Sequence, residues 1–332
     1  MRAFVLLFGV ALAGVGLAAA WLAYYAHGEL ELGSAPLEFS IRSGSSLRGA
    51  AQQMTQAGVL PGPEPFEVLA RVLGKAGDVK AGNYEVAPPL TPYLLLQKVA
   101  QGDVKLVAVT FVEGWTFKQM RKVLDEHPAV RHDTRELSDA EILRRLGSTE
   151  TLPEGWFFPD TYYFSGGASD LAVLRRSHRL MRSHLAARWE QRAGSLPFTT
   201  PYEALILASI VEKETGKKED RTLIAAVFVN RLRKGMILQA DPTVIYGMGE
   251  KFDGNLRKHD LAADTPYNTY TRAGLPPTPI AMPGLAALAA TLNPADSDVL
   301  YFVSRGDGTS YFSRTLAEHE RAVTKYQRSG RR

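Results

Sequence analysis

The chain has 332 residues, 45% of them hydrophobic and 22% charged, with a formal net charge of +4 and no cysteine. This length supports two or three domains with cores of their own, and the composition is that of a folded chain. Without cysteine there is no thiol nucleophile, no disulfide and no cysteine-based metal site, and no dense Lys/Arg run with interleaved aromatics precedes the C-terminal Arg328, Arg331 and Arg332, so no nucleic-acid partner is expected.

Residues 4–25, FVLLFGVALAGVGLAAAWLAYY, carry no charge and are long enough to cross a bilayer as a helix. A cleaved signal peptide with small residues at Ala18 to Ala20 is the competing reading. The apolar run continues through Trp21, Leu22, Tyr24 and Tyr25, which suit an interfacial belt, so residues 1–26 are read as an uncleaved anchor. Arg2 precedes the segment while Glu29 and Glu31 follow it, which places the N-terminus in the cytoplasm and the rest of the chain outside. A chain lacking 1–26 is expected to be soluble and active.

From Leu37 onward a small mixed domain is expected, with a short strand, a Gly44-Ser45-Ser46 turn able to cap a helix, and a helix closing at Gly58. FSIRSGSSLRGAA (from 39) has a weak echo in TFVEGWTFKQMR (from 110), so the combination of strand, tight turn and capped helix is expected twice. The charged stretch 125–151 reads as a connector with a surface helix from Ser138. EGWFFPDTYYF (154–164) is dense in aromatics and is either a packed core edge or a sugar-stacking platform. A long helix follows from Ser169 to about Ala193.

The segment PYEALILASIVEKET (201–215) organises the rest. On a helix, Ile206, Leu207, Ile210 and Val211 form one apolar stripe, Glu214 falls near its middle, and Glu212 and Lys213 fall to the side or back. A carboxyl there loses water, which raises its pKa, so Glu214 is a candidate general acid. A solvated glutamate paired with Lys217 or Lys218 is the plainer alternative. A helix closed by Gly235 follows, then MILQADPTVIY and TPYNTYTRAGLPPTPIAMP, whose amides, hydroxyls and rings could surround a polyhydroxylated ligand or simply form turns. VLYFVSR-GDG-TSYFSR reads as a hairpin, and Thr315 with Glu318 has the spacing of a capping box. No G-x-S-x-G, P-loop, G-x-G-x-x-G or H-E-x-x-H occurs, and no cofactor or metal is expected.

After the N-terminal apolar segment come EGWT, EGWFFPDTYYF, ASIVEKET, VFVNRL, LQADPTVIYG, YNTY, GLPPTPI, PG and YFV, in that order. In this series the chain resembles the endolytic murein transglycosylases, the YceG-like or MltG proteins, over nearly its whole length beyond the anchor. Thr265-Pro266 before YNTY is a small departure. The resemblance implies an α+β fold with three parts: a transmembrane helix (1–26), a small LysM-like domain (37–105) and a larger mixed α/β catalytic domain (106–330). It implies a lytic transglycosylase of the inner membrane, acting on peptidoglycan glycan strands with one essential glutamate, and it suggests cooperation with peptidoglycan synthases. Glu214 matches that glutamate, and Glu113, Gln239, Asp241, Tyr267, Asn268 and Tyr270 match motif positions around a substrate cleft. On this expectation Glu214 protonates the glycosidic oxygen and then deprotonates the muramic C6 hydroxyl, which closes to a 1,6-anhydro ring. A hydrolytic muramidase with Asp241 as second carboxylate, or a non-catalytic glycan-binding protein, are the alternatives.

Overall fold

The computed structural model describes residues 2–33, 35–214 and 217–328, apart from the side chains of 2–7, 11 and 328. It is a mixed α/β structure whose strands, among the described residues, form four two-stranded sheets between helices. The chain divides into two compact units, one of residues 1–108, 129–131 and 163–168, the other of 109–128, 132–162 and 169–332.

The first unit begins with α1 (Arg2–His27), in which Phe8–His27 is long and apolar enough to cross a membrane. Next come β1 (Leu37–Ile41), α2 (Leu47–Gln56), α3 (Pro63–Val72), β2 (Gly82–Val86) and α4 (Pro92–Gln101). β1 and β2 pair antiparallel with Phe39 opposite Tyr84, whose rings stack at 5.2 Å. The helices start where the sequence supplies caps: Ser46 accepts from Gly49 N, and Thr91 accepts from Leu94 N ahead of Pro92. The core gathers Phe39, Ala51, Met54, Phe66, Tyr84 and Leu95. The last turn of α1 belongs to this core: Ala26 is buried in it, and Leu22 and Tyr25 pack against it. The apolar helix and the core of this unit therefore share residues 22–26, within the stretch 1–26 that the sequence assigns to an anchor ahead of a domain beginning at 37.

Strand β3 (Leu106–Thr110) leads into α5 (Phe117–Glu126), then come β4 (Val130–Arg131), α6 (Asp139–Leu146), β5 (Thr161–Ser165) and β6 (Ala168–Ser169). β3 pairs with β5 and β4 with β6. The echo noted in the sequence has a structural counterpart. Gly44 and Gly114 both adopt left-handed backbone (φ 78° and 77°), and two residues later Ser46 and Thr116 cap α2 and α5. Of the six aromatics in 154–164, five are buried and only Tyr163 is exposed, so the segment packs as core. Gly155 lies so close to Pro279 that a Cβ would meet its ring carbons at 2.5–2.6 Å, and this fixes the aromatic segment against the 278–281 loop.

The remaining elements are α7 (Asp170–Glu190), α8 (Pro201–Glu214), α9 (Lys218–Arg233), α10 (Asp241–Met248), α11 (Lys258–Ala262), α12 (Leu285–Leu292), β7 (Tyr301–Ser304), β8 (Ser310–Ser313) and α13 (Leu316–Val323). Helix α8 is the centre of the second unit, with α7, α9, α10 and α12 all packed on it. Every residue from Ala204 to Val211 is buried, so α8 is enclosed all round rather than along one stripe. Glu212, expected at the side or back, is enclosed with it, its side chain only 6% exposed beside Arg221 at 3.7 Å. Helix α9 carries polar groups that hold the β7–β8 hairpin. Asn230 donates to Ser297 O and Val299 O at 2.7 and 3.0 Å, and Asp220 accepts from Ser310 N at 2.6 Å.

Candidate active site

Glu214 is the last residue of α8, where helix geometry ends and unpaired carbonyls accumulate. Its side chain faces a cavity of about 420 Å³ lined also by Arg231, Gln239, Asp241, Tyr270 and, from the hairpin and α13, Val303 and His319. Burial pushes the Glu214 carboxyl up to about 8, the negative charge of Asp241 adds to this, and Arg231 works against it. The C-terminal end of a helix dipole disfavours an anion in the same direction. A carboxyl raised in this way holds its proton at a pH where an ordinary glutamate has lost it. The chemistry available is proton donation followed by return of the proton to the same oxygen pair.

The facing wall is built from a strained loop. Gln239 sits at φ +52°, a left-handed conformation that a non-glycine residue adopts only when its surroundings enforce it. Three bonds do so: Gln239 N donates to Thr269 O at 3.1 Å, Ala240 N to Thr269 Oγ1 at 3.0 Å, and the hydroxyls of Thr243 and Thr269 meet at 2.9 Å. The result presents Gln239 and Asp241 on one wall. Tyr270 donates its hydroxyl to Asp241 Oδ1 at 2.5 Å, and burial together with that bond raises the phenol pKa.

Arg231 is the positive charge of the site and is 7% exposed. Its guanidinium donates to Leu300 O and Leu238 O at 2.7 Å each and to Gln239 Oε1 at 3.3 Å. It also lies over the Tyr301 ring at 5.1 Å, and Tyr301 stacks on His319 at 5.3 Å. Burial first, and then Arg231, push His319 down, so this ring is neutral near pH 7. Neither Arg231 nor His319 was singled out from the sequence. Arg231 left a signal, a charge following the apolar run AAVFV and Asn230, whereas His319 left none because it reaches the site from α13, far along the chain.

Of the residues expected around a cleft, the structure brings Glu214, Gln239, Asp241 and Tyr270 to one cavity. Tyr267, Asn268 and Glu113 do not line it. Asn268 is fully buried and its amide is committed to backbone, donating to Leu261 O at 3.0 Å and Ala263 O at 2.7 Å and accepting from Tyr270 N at 2.8 Å. It shapes the loop that carries Tyr270 and has no surface for a ligand. Tyr267 bonds Thr278 Oγ1 at 2.9 Å and meets Tyr246 edge-on at 4.9 Å. Glu113 is exposed, with its carboxylate against Gly284, whose N–H donates to Glu212 Oε2 at 2.8 Å.

Another buried carboxyl, Glu154, is pushed up to about 7 by burial; it accepts from Phe117 N at the start of α5 and from the Tyr246 hydroxyl. It does not line the cavity. Asp125, His132 and Asp170 place ligand-type atoms within 4.8 Å of one another. Asp170 there already accepts four hydrogen bonds, from Asp133 N, Thr134 N, Thr134 Oγ1 and Leu171 N, which accounts for its burial without an ion.

A buried carboxyl of raised pKa at a helix end thus faces an open polar cavity with an anionic and an amide side chain opposite, surroundings suited to a polar ligand. The chain belongs to the YceG-like family, whose model matches residues 39–325. It is 30% identical over 312 residues to the endolytic murein transglycosylase of Bacillus subtilis, covering 87% of this chain and 84% of that one. It is 28% identical to the endolytic murein transglycosylase of Streptococcus pneumoniae, covering 87% of this chain and 58% of that longer protein. Among solved structures, a putative YceG-like protein of Listeria monocytogenes aligns with TM-score 0.53 and 29% identity, over 86% of this chain and 98% of that one.

Proposed function

We propose that this protein is a membrane-anchored endolytic lytic transglycosylase of peptidoglycan, with Glu214 as its single acid/base. Family membership and the names of the relatives support the activity. The observation that carries the residue assignment is the position of the Glu214 carboxyl, at the end of α8 and facing the cavity it shares with Asp241, where burial raises its pKa.

In this reading Glu214 gives its proton to the oxygen between N-acetylmuramic acid and N-acetylglucosamine as the muramic C1–O bond breaks. Positive charge then develops at C1, where Asp241 stabilises it electrostatically and Tyr270 holds Asp241 in place. The Glu214 carboxylate takes the proton of the muramic C6 hydroxyl as that oxygen bonds to C1, leaving a 1,6-anhydro end and a neutral carboxyl ready for the next cleavage. The nucleophile is intramolecular, so water and a covalent enzyme intermediate are not needed. Gln239 orients a sugar amide or hydroxyl. Asn268 and Tyr267 act by fixing the loop behind Tyr270, and Glu113 flanks the site through Gly284.

Residues 37–105 are read as a LysM-like glycan-binding portion and 106–330 as the catalytic domain. The helix α1 anchors the chain in the inner membrane with its N-terminus in the cytoplasm and the remainder outside, where cleavage within strands ends their elongation beside peptidoglycan synthases. A second carboxylate at the same cavity, Asp241, favours one alternative, hydrolysis by water. The test is mass spectrometry of peptidoglycan digested by the detergent-solubilised chain and its Glu214→Gln and Glu212→Gln variants. Anhydromuramyl ends from the native chain and Glu212→Gln, and none from Glu214→Gln, are expected. Reducing muramic ends would overturn the transglycosylase reading, and an active Glu214→Gln would overturn the assignment of the acid.

A further inference from the structure

Helix α3 has two contrasting faces. Phe66, Leu69 and Ala70 are buried in the core of the first unit, while Val68, Val72 and Leu73 just past the helix end are 44%, 66% and 41% exposed. Elsewhere among the described residues beyond α1, exposed large hydrophobics occur singly: Leu94, Leu106, Val112, Leu152, Tyr163 and Leu316. Scattered single residues need no explanation; three within six positions at the end of one helix form a patch.

The patch adjoins α1. Val68, Val72 and Leu73 line an open apolar groove of about 550 Å³ whose other wall is the α1 surface bearing Val15, Ala19 and Leu22. Helix α1 does not swing freely beside this wall, since Leu22, Tyr25 and Ala26 are part of the core that α3 also enters. The exposed aromatics Trp21 and Tyr24 mark the level at which a spanning α1 would leave the hydrocarbon. At 1.5 Å per residue, Leu22 lies about 5 Å and Ala19 about 9 Å inward of Tyr25 along the helix. The wall of the groove on α1 runs from Val15 to His27 and so takes in the depth to which interfacial helices bury their apolar face, about 5–10 Å into the boundary of headgroups and acyl chains. Arg71, paired with Glu67 at 3.0 Å yet 62% exposed at its side chain, and Lys75, 3.9 Å from Asp78, flank the patch with long polar-tipped stems at the level of the headgroup layer.

We propose that the end of α3 is a membrane seat: Val68, Val72 and Leu73 enter the outer leaflet beside α1, so that the first unit rests in the lipid surface rather than standing clear of it. This rests on the reading of α1 as a membrane span. The occupant of the groove is lipid acyl chain, because the groove is continuous with the lipid-facing side of α1 and, among the described residues, only α1 and the end of α3 line it.

The native chain has no cysteine, so a single introduced one carries a unique environment-sensitive label. Three labelled full-length variants are reconstituted in vesicles of phosphatidylethanolamine and phosphatidylglycerol: Leu17→Cys in the span, Val72→Cys in the seat, and Glu64→Cys at the opposite end of α3. All three positions are exposed, so the label displaces no core. The labels at 17 and 72 should emit to the blue, resist aqueous iodide and be quenched by doxyl groups on the acyl chains, while the label at 64 remains open to iodide. If the label at 17 is shielded and that at 72 is quenched by iodide, the seat is refuted and the span stands. If the label at 72 resists both quenchers, protein covers the groove and lipid is refuted as its occupant. If the label at 17 itself is open to iodide, the span fails and the seat falls with it.

Discussion

Replacing Glu214 by glutamine should make the protein more stable, and increasingly so as pH rises. The folded state holds the Glu214 carboxyl up to about 8 through burial and the charge of Asp241, against a model value of 4.5. A raised carboxyl pKa means that the folded state binds the proton more tightly than the unfolded one. Stability from this group is therefore complete below the unfolded pKa, falls as pH rises between the two values, and levels off above the folded one. Linkage over that interval gives an upper bound of about 3 kcal/mol lost by the native chain at pH 7 and about 5 at pH 9. Water at the open mouth of the cavity screens the charge, and roughly half of each figure is the better expectation. Glutamine has the same shape and nothing to ionise. Chemical denaturation of the native and Glu214→Gln chains at pH 5, 7 and 9, followed by tryptophan fluorescence, should show the variant's advantage growing with pH. An advantage that does not depend on pH, or a variant that is less stable at pH 9, would mean that Glu214 folds as a satisfied carboxylate, and the argument for its acidity would fail.

Asp241→Asn removes the charge that helps to raise Glu214, so the alkaline limb of the activity profile should move to lower pH; an unmoved limb in a pH–rate series would separate Asp241 from the acid. Arg231→Ala leaves the carbonyls of Leu238 and Leu300 without their donor in a buried place and should cost about 2–4 kcal/mol in denaturant melts. Arg231→Lys should recover little of this, because one ammonium cannot replace the guanidinium fork; full recovery would refute the geometric argument. Asn268→Ala should lower stability by a similar amount, and any loss of turnover should follow from the displaced Tyr270 loop, with kcat falling more than KM rises. A selective rise in KM would instead make Asn268 a substrate contact.

Local chemistry was the most readable part of the sequence. Ser46, Thr116, Ser138 and Thr315 announce their helices because a cap needs only a hydroxyl and the next three residues, and each one accepts the expected backbone N–H, whereas Ser169 at the start of α7 makes no such bond. Glu214 was legible for a related reason, since its place on a helix follows from spacing alone. Its surroundings were not. Periodicity implies one buried face, whereas α8 is wrapped by four helices, so Glu212 is enclosed although spacing placed it to the side or back of the apolar stripe. His319 reaches the cavity from α13, which packs on a hairpin that Asn230 and Asp220 fasten from some 70 to 90 residues away, and no local pattern encodes such a contact. YNTY reads as a polar loop fit for a ligand, yet its asparagine is spent on the loop's own backbone. Amides serve both purposes, and sequence does not separate them.

The overlap between α1 and the core of the first unit bears on how the protein can be shortened. A chain starting at residue 27 removes more than a lipid tether: it takes Leu22, Tyr25 and Ala26 out of a packed interior and leaves a hollow where they stood. A soluble form should instead begin near Trp21 and keep the last turn of the helix, with solubility restored by polar substitutions on its outward side at Trp21 and Tyr24, both exposed. The same overlap means that a protease clipping within 22–26 would release the domain and loosen it in a single cut.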